Sequence, residues 1–164
     1  MAIRSVAVER FSIVSSKPFA EIVARIDAAI GHPDMRELWQ NVAAAKSFEE
    51  IEETINSAVG PSTLMEFARF NHGQFILKER SADAPKILRI VLGNPLIMRQ
   101  MAEHVPDAGS YAPVTVLIDE RIDGVHLSYD LMASYLASYG NLAALKVARE
   151  LDAKVEALLA AAAS

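Results

Sequence analysis

The chain has 164 residues, of which 52% are hydrophobic, and its 21 acidic and 16 basic residues give a formal charge of −5. This length and composition predict one domain, residues 1–164, built around one hydrophobic core. The acidic balance and the absence of any run of lysine or arginine argue against nucleic acid as a partner, because a row of phosphates must be neutralised by cations.

The sequence contains no cysteine, which excludes disulfides, thiolate catalysis and thiolate metal ligands. Its first residues alternate between polar and apolar types and resemble neither a signal peptide nor a membrane span. We therefore expect a cytoplasmic protein without a membrane partner.

The N-terminal third predicts a strand followed by three helices. Residues 5–15 are rich in β-branched residues and predict the strand. Pro18 suits the first turn of a helix, and apolar residues then recur at helical spacing until Gly31. Two short helices, at about 35–45 and 48–59, each follow a capping box. The two boxes are Asp34 with Glu37 and Ser47 with Glu50. The single tryptophan, Trp39, fits either a core or a lid position.

Residues 64–70 predict a second strand that ends at Asn71-His72-Gly73, where Asn and Gly permit a sharp reversal. The pattern of residues 74–78 fits a strand or a helix equally well. The small polar residues 81–85 predict a loop.

Residues 87–92 form an apolar run that only Arg89 interrupts, which predicts a strand buried on most of both faces. After Gly93, Asn94 is expected to cap a helix that begins at Pro95. The free N–H groups of such a helix attract anions, and Arg99 one turn later adds a positive charge. The alternative is an ordinary capped turn. Met98 and Met101 are expected to fill the core, and residues 106–113 predict a loop.

Asp123-Gly124 is a strong hairpin signal between two strands, residues 114–120 and 125–130. A two-residue turn at this dipeptide places Asp119 opposite Ser128 and Leu117 opposite Asp130. Alternation gives the hairpin an apolar and a polar face. The apolar face holds Val116, Ile118, Leu127 and Tyr129, with Glu120 at its rim; the polar face holds Thr115, Asp119, Arg121, His126, Ser128 and Asp130. The polar face either meets solvent or lines a pocket suited to proton transfer.

Residues 131–139 predict a short helix, and Asn141 is expected to cap a long final helix whose apolar side covers the sheet. The alanine-rich tail, residues 160–164, is expected to fray.

Four segments together resemble the family catalogued as domain of unknown function 302, whose members are small bacterial and archaeal proteins. The segments are Phe70-Asn71-His72-Gly73, Gly93-Asn94-Pro95-Leu96-Ile97-Met98 with Met101, Tyr111-Ala112-Pro113 and Ser128-Tyr129-Asp130. The resemblance implies a two-layer α+β fold, similar to that of the TATA-box-binding protein, in which a curved antiparallel sheet is backed by helices on one face. It implies no activity and no catalytic residue, and likeness of fold to a DNA-binding protein is no evidence of DNA binding.

The sequence departs from the family pattern in two places. The helical pair at residues 33–60 looks like an insertion. Asn71 stands where an aspartate often precedes the histidine, which weakens the case for a catalytic Asp-His pair.

Three functions follow from these patterns. The first is binding of a small molecule, anionic if the helix N-terminus takes part, in a pocket near the sheet with the Trp39 helix as a lid. The ligand-binding candidates are His72, Gly93, Asn94, Arg99, Ser128 and Asp130. The second is a structural or regulatory homodimer.

The third is an acid–base enzyme, in which His72 or His126 is the base and Asp119 or Asp130 orients it. Isolated histidines are more often ordinary residues than catalysts, so the enzyme ranks third. The four histidines are scattered, and neither a metal nor a cofactor is expected.

Overall fold

The computed structural model of the chain describes residue 3, residues 5–77 and residues 85–164. The sheet strands are β1 (Arg10–Ser15), β2 (Met65–Asn71), β3 (Ile87–Gly93), β4 (Val114–Arg121) and β5 (Gly124–Asp130). The helices are α1 (Phe19–Ala29), α2 (Met35–Ala44), α3 (Phe48–Ala58), α4 (Gly73–Leu77), α5 (Pro95–Ala102), α6 (Met132–Ala137) and α7 (Leu142–Ala163), with a 3-10 helix at Pro106–Ser110.

The five strands form one antiparallel sheet in the order β1-β5-β4-β3-β2. The predicted α+β class is therefore confirmed, with helices packed on an open sheet. None of the helices in the described residues is long and apolar enough to cross a membrane.

One face of the sheet holds the core. Alternate residues of β5, β4 and β3, among them Leu127, Ile118 and Ile90, are fully buried there. They belong to the same apolar cluster as Ile22 of α1 and Val155 of α7. Each buried aliphatic side chain of this size contributes about 1.5–3 kcal/mol relative to exposure. The helix-covered face is thus the apolar hairpin face that the sequence predicts.

The α2–α3 pair has a small core of its own, made by Leu38, Ile55 and Met65. Both predicted N-caps are formed: Asp34 Oδ1 accepts hydrogen bonds from the N–H groups of Arg36 and Glu37, and Ser47 Oγ accepts one from Glu50. Because Met65 begins β2, this pair lies at the β2 end of the sheet.

The hairpin register differs from the prediction by two residues. Gly124 pairs with Arg121, so Ile122 and Asp123 form the turn, Asp119 lies opposite His126, and Leu117 lies opposite Ser128. Gly124 has a φ of +137°, and a Cβ there would stand 2.6 Å from the carbonyl oxygen of Ser15. The glycine is therefore required where β1 passes the start of β5. A two-residue shift preserves alternation, so the predicted composition of both faces is correct.

Several boundaries also differ. β1 begins at Arg10 and not at Ser5, the undecided segment after His72 is the short helix α4, and the expected 106–113 loop contains the 3-10 helix. Of the predicted loop at 81–85, residues 81–84 lie outside the described residues. Residues 160–163, expected to fray, continue α7, where Ala162 is buried and the Ala163 carbonyl accepts a 2.6 Å hydrogen bond from Ser15 Oγ.

Candidate functional site

The sheet face opposite the helices is open to solvent. Ser12 and Val14 of β1 and Arg89 of β3 point to this side and are exposed, whereas Ser128 of β5 is half-buried. Both polar and apolar residues reach this face, since Arg89 and Ser128 share it with Val14 and Phe70. Any function of the sheet surface must therefore use them.

A concavity of about 420 Å³ occupies one end of the open face, where β4 begins and β5 ends. We call it the open-face pocket, and define it by Arg10, Arg89, Tyr111, Thr115, Ser128, Asp130 and Tyr135. Its volume lies within the range of small-molecule sites.

Arg10 and Asp130 neutralise each other at the edge of this pocket. They are cross-strand partners on β1 and β5, and Arg10 Nε and Nη2 donate to the two carboxylate oxygens at 2.5 and 3.0 Å. The hydrogen-bonded guanidinium lowers the pKa of the Asp130 carboxyl below its ordinary value. The charge of the Asp130 carboxylate is thus already balanced by the Arg10 guanidinium.

The guanidinium of Arg89 also borders this pocket. Among the residues that the structure describes, no carboxylate lies within ion-pair distance of its guanidinium. The contacts it makes are a 3.3 Å hydrogen bond from Nη2 to Thr115 Oγ1 and a position 5.7 Å from the centroid of the Phe70 ring. An arginine presents five N–H donors, so most of its capacity faces the pocket or solvent.

Two stacked tyrosines form the aromatic wall. The rings of Tyr111 and Tyr135 lie 4.7 Å apart with an interplanar angle of 17°. The Tyr135 hydroxyl donates a long 3.5 Å hydrogen bond to Asp130, and burial together with that negative charge raises the pKa of Tyr135. The wall therefore presents flat apolar surface beside phenolic hydroxyls.

A second cavity, of about 190 Å³, adjoins the 112–114 segment. We call it the Trp39 pocket; it is lined by Trp39, Phe67, Gly93, Asn94, Pro95, Met98, Met101, Ala112, Pro113, Val114 and Leu151. Pro113 and Val114 line both cavities. Trp39 stands 6.3 Å from Phe67, centroid to centroid, so the α2 helix does form part of a cavity wall.

The predicted ligand-binding residues are divided between these places. Ser128 and Asp130 line the open-face pocket, and Gly93 and Asn94 line the Trp39 pocket. Asn94 Oδ1 caps α5 through the N–H of Leu96, and its Nδ2 donates to the Thr63 carbonyl, at 2.8 and 2.9 Å. Its amide is thus occupied by the fold.

Arg99 and His72 line neither pocket. Arg99 pairs with Glu103 at 2.9 Å and lies over the Phe48 ring. His72 follows the edge strand β2 and stacks on Phe70, with 6.2 Å between ring centroids. The structure therefore does not gather the predicted residues into one site.

The acid–base candidates are brought together only in part: Asp119 lies opposite His126 on the hairpin, but each of the two is hydrogen-bonded to another residue. His126 Nε2 lies 2.9 Å from Asp123 Oδ1, while Asp119 accepts from Arg121 at 2.5 Å. Strands β3 and β4 stand between His72 and His126, a separation of about 14 Å at the usual strand spacing. Neither histidine is hydrogen-bonded to Asp119 or Asp130 in the structure.

One group of ligand-type residues escaped the sequence analysis. Single ligand atoms of Asp27, His32 and Glu66 lie within 4.8 Å of one another. Arg69 donates to both carboxylates, at 2.6 Å to Glu66, and this raises the pKa of its guanidinium. Arg69 therefore already supplies positive charge to this cluster.

Arg10, Arg89 and Tyr135 were also missed as site residues. The interruption of the apolar β3 run by Arg89 is a visible signal, because a charge in such a run must point to the less covered face. The contributions of Arg10 and Tyr135 depend on which strands and helices become neighbours, which no local pattern reports.

Comparison with known proteins gives the family and the fold. The structure is similar to the crystal structure of an uncharacterized conserved protein DUF302 from Bacillus stearothermophilus, with a TM-score of 0.63 over 93% of this chain and 97% of that one. At 9% sequence identity this likeness shows the fold alone. No curated protein matches the sequence. The family model described as domain of unknown function DUF302 matches residues 40–162, about three quarters of the chain. The chain therefore belongs to the DUF302 family.

Proposed function

We propose that the protein binds a small anionic molecule in the open-face pocket. The observation that carries the proposal is Arg89, a guanidinium on the pocket surface with no carboxylate partner among the described residues. The second cation of the pocket, Arg10, is paired with Asp130. Among the residues that the structure describes, the pocket therefore has one positive charge without a carboxylate partner, which favours a ligand with one carboxylate or a similar anionic group.

The remaining lining favours a flat ligand. Tyr111 and Tyr135 offer stacked aromatic surface, and Thr115 and Ser128 offer hydroxyls that donate or accept. A planar carboxylate uses all three kinds of contact: its anionic group lies at Arg89, its ring lies against the tyrosines, and its substituents reach the hydroxyls.

Benzoate and benzamide test the proposal, since they share one shape and differ in charge. We expect benzoate to bind in NMR or calorimetric titrations, and benzamide to bind at least tenfold more weakly, because a hydrogen bond to a charged group contributes about 1.5–3 kcal/mol. Arg89→Gln should remove the preference for benzoate. Arg149→Gln is the matched control, because Arg149 is exposed on α7. Equal affinities for the two probes, or equal losses in both variants, would contradict the proposal.

A second candidate, a homodimer formed through the open face, has an observation of its own. Val14 on β1 and Phe70 on β2, the two edge strands, are 48% and 45% exposed. In a two-fold dimer through the open face, both side chains would be covered by the partner. Sedimentation equilibrium would give twice the 17.9 kDa chain mass for a dimer, and Val14→Lys should return it to the monomer. A monomer at high concentration would exclude this candidate.

A further inference from the structure

We infer that the Trp39 pocket is a second binding site, for a small neutral apolar molecule or group. This inference does not depend on the open-face pocket, because the two cavities share only Pro113 and Val114 in their linings and carry different chemistry. Arg89, Thr115 and Ser128 line the first, and none of them lines the second.

The walls of the Trp39 pocket leave a ligand almost no hydrogen-bonding group. Aromatic, proline, leucine and methionine side chains supply most of the surface, and the side-chain hydrogen-bonding groups are the indole N–H of Trp39 and the amide of Asn94. Both ends of the Asn94 amide are already bonded, to the N–H of Leu96 and to the Thr63 carbonyl. A water molecule inside would lack the two to four polar partners that hold a buried water, so an apolar occupant is favoured.

The size of the cavity limits the occupant. An apolar cavity of about 150 Å³ takes up benzene or xenon. The Trp39 pocket, at about 190 Å³, therefore accommodates one six-membered ring or an aliphatic chain of similar size. Met98 and Met101 in its wall allow some adjustment to shape, because the methionine side chain is unbranched and flexible.

The exposure of Trp39 indicates that the folded chain alone does not cover this pocket. The α2 helix is anchored by Leu38, which is buried with Ile55 and Met65, whereas Trp39 remains 44% exposed beside Phe67. An apolar ligand against the indole would remove more of this surface from water, at about 25 cal/mol per Å². The tryptophan thus forms part of the binding surface.

Because Trp39 is the only tryptophan in the chain, its emission reports directly on the pocket. The probe is cyclohexanol, which is mostly apolar, uncharged and transparent where indole absorbs. We expect a saturable change of Trp39 emission, with shifts of the Met98 and Met101 methyl signals in NMR spectra. Cyclohexanecarboxylate should bind at least tenfold more weakly, since the walls provide no cation for its charge.

Gly93→Ala narrows the cavity with little effect on the fold. The added Cβ would lie 3.4 Å from Pro113 Cβ and 3.7 Å from the Phe67 ring, both ordinary contacts with residues of the pocket wall. We expect at least threefold weaker cyclohexanol binding. Gly109→Ala is the matched control, because its Cβ would meet nothing within 4 Å.

A second pair of variants tests whether the ligand requires an apolar pocket wall. Met98→Asp places a carboxylate in the wall and should abolish saturable binding, whereas Gln100→Asp places the same charge on the exposed side of α5 and should not. Arg89→Gln should leave cyclohexanol binding unchanged, which separates this site from the proposed function. A linear, unsaturable response to cyclohexanol, or equal binding by Gly93→Ala and Gly109→Ala, would overturn the inference.

Discussion

The phenol of Tyr129 donates a 2.6 Å hydrogen bond to the carboxylate of Asp152, a residue of α7 that is only 6% exposed. The same carboxylate accepts from the N–H groups of Met132 and Ala133, at 2.7 and 2.9 Å. Asp152 therefore caps α6 from a different helix and ties it to strand β5, which lies between β1 and β4. A buried carboxylate with this many donors is stable because each oxygen is satisfied.

Removing that carboxylate should destabilise the fold strongly. Asp152→Ala leaves the Tyr129 hydroxyl and the Ala133 N–H without their acceptor, and leaves the Met132 N–H only its 3.3 Å hydrogen bond to the Tyr129 oxygen. Each unsatisfied group costs about 1–3 kcal/mol. We expect the free energy of unfolding to fall by roughly 3 kcal/mol in urea denaturation followed by circular dichroism. Glu150→Ala is the control, since Glu150 is exposed on the same helix. A loss no larger than that of the control would show that the α6 cap is dispensable.

The same pair predicts how stability depends on alkaline pH. Burial, and then the negative charge of Asp152, raises the pKa of Tyr129 above its ordinary value. In the unfolded chain the phenol ionises near pH 10, so above about that pH the unfolded state binds fewer protons and the free energy of unfolding falls. Tyr129→Phe should therefore be less stable than the native protein at neutral pH and lose less stability as the pH rises. Parallel pH profiles for the two proteins would be incompatible with this assignment.

The elements with a local signal were predictable. The caps at Asp34, Ser47 and Asn141 are formed by side chains of the residues that the sequence indicates. The hairpin faces were also correct, because alternation survives a two-residue error in register. The register itself was not predictable, since the turn lies against β1, a strand distant in sequence, whose Ser15 carbonyl leaves no room for a side chain at Gly124.

The candidate sites were less predictable than the fold. The sequence contains Arg89, Tyr135 and Asp152, but their roles depend on which elements become neighbours. Asn94 illustrates the opposite error: its position at a helix start was correctly read, yet its side chain makes contacts within the fold.

The ion pair between Arg10 and Asp130 gives a prediction at acid pH. Asp130 has a lowered pKa, so its contribution to stability is present above its unfolded pKa, near 4, and is lost as the pH falls through the lower folded value. Arg10→Gln should raise the pKa of Asp130 toward the ordinary value, measured from carbon chemical shifts of the carboxyl. Arg25→Gln, which removes a cation that pairs with Glu21 on α1, is the control. An unchanged pKa in Arg10→Gln would show that Arg10 is not its cause.

The ion pairs of Arg69 predict that its removal would create a Zn²⁺ site. Its guanidinium pairs with both Asp27 and Glu66, and His32 Nδ1 lies 3.5 Å from Glu66. Arg69→Gln should leave the two carboxylates and the imidazole free to bind Zn²⁺, whose usual ligands include both groups. We expect Zn²⁺ to raise the melting temperature of Arg69→Gln, and to do so less in Arg69→Gln with His32→Ala. The native protein should not respond, and a response equal to that of Arg69→Gln would disprove the role given to Arg69.

The occupied amide of Asn94 separates a structural role from a binding role. Asn94→Ala removes the cap of α5 and the hydrogen bond to Thr63, whose φ of +65° is unusual for a residue other than glycine. Loss of an N-cap alone costs about 1 kcal/mol, so we expect a loss of roughly 1–2 kcal/mol in the free energy of unfolding. Asn94→Asp keeps the acceptor for Leu96 and loses the donor to Thr63. Its free energy of unfolding should lie between those of the native protein and Asn94→Ala.

His72→Ala, on the half-buried turn after β2, should change stability by less than about 0.5 kcal/mol. Removal of a side chain that stabilises the fold must lower the free energy of unfolding. If Asn94→Ala were as stable as His72→Ala, the Asn94 amide would therefore have no structural role and would be available to a ligand.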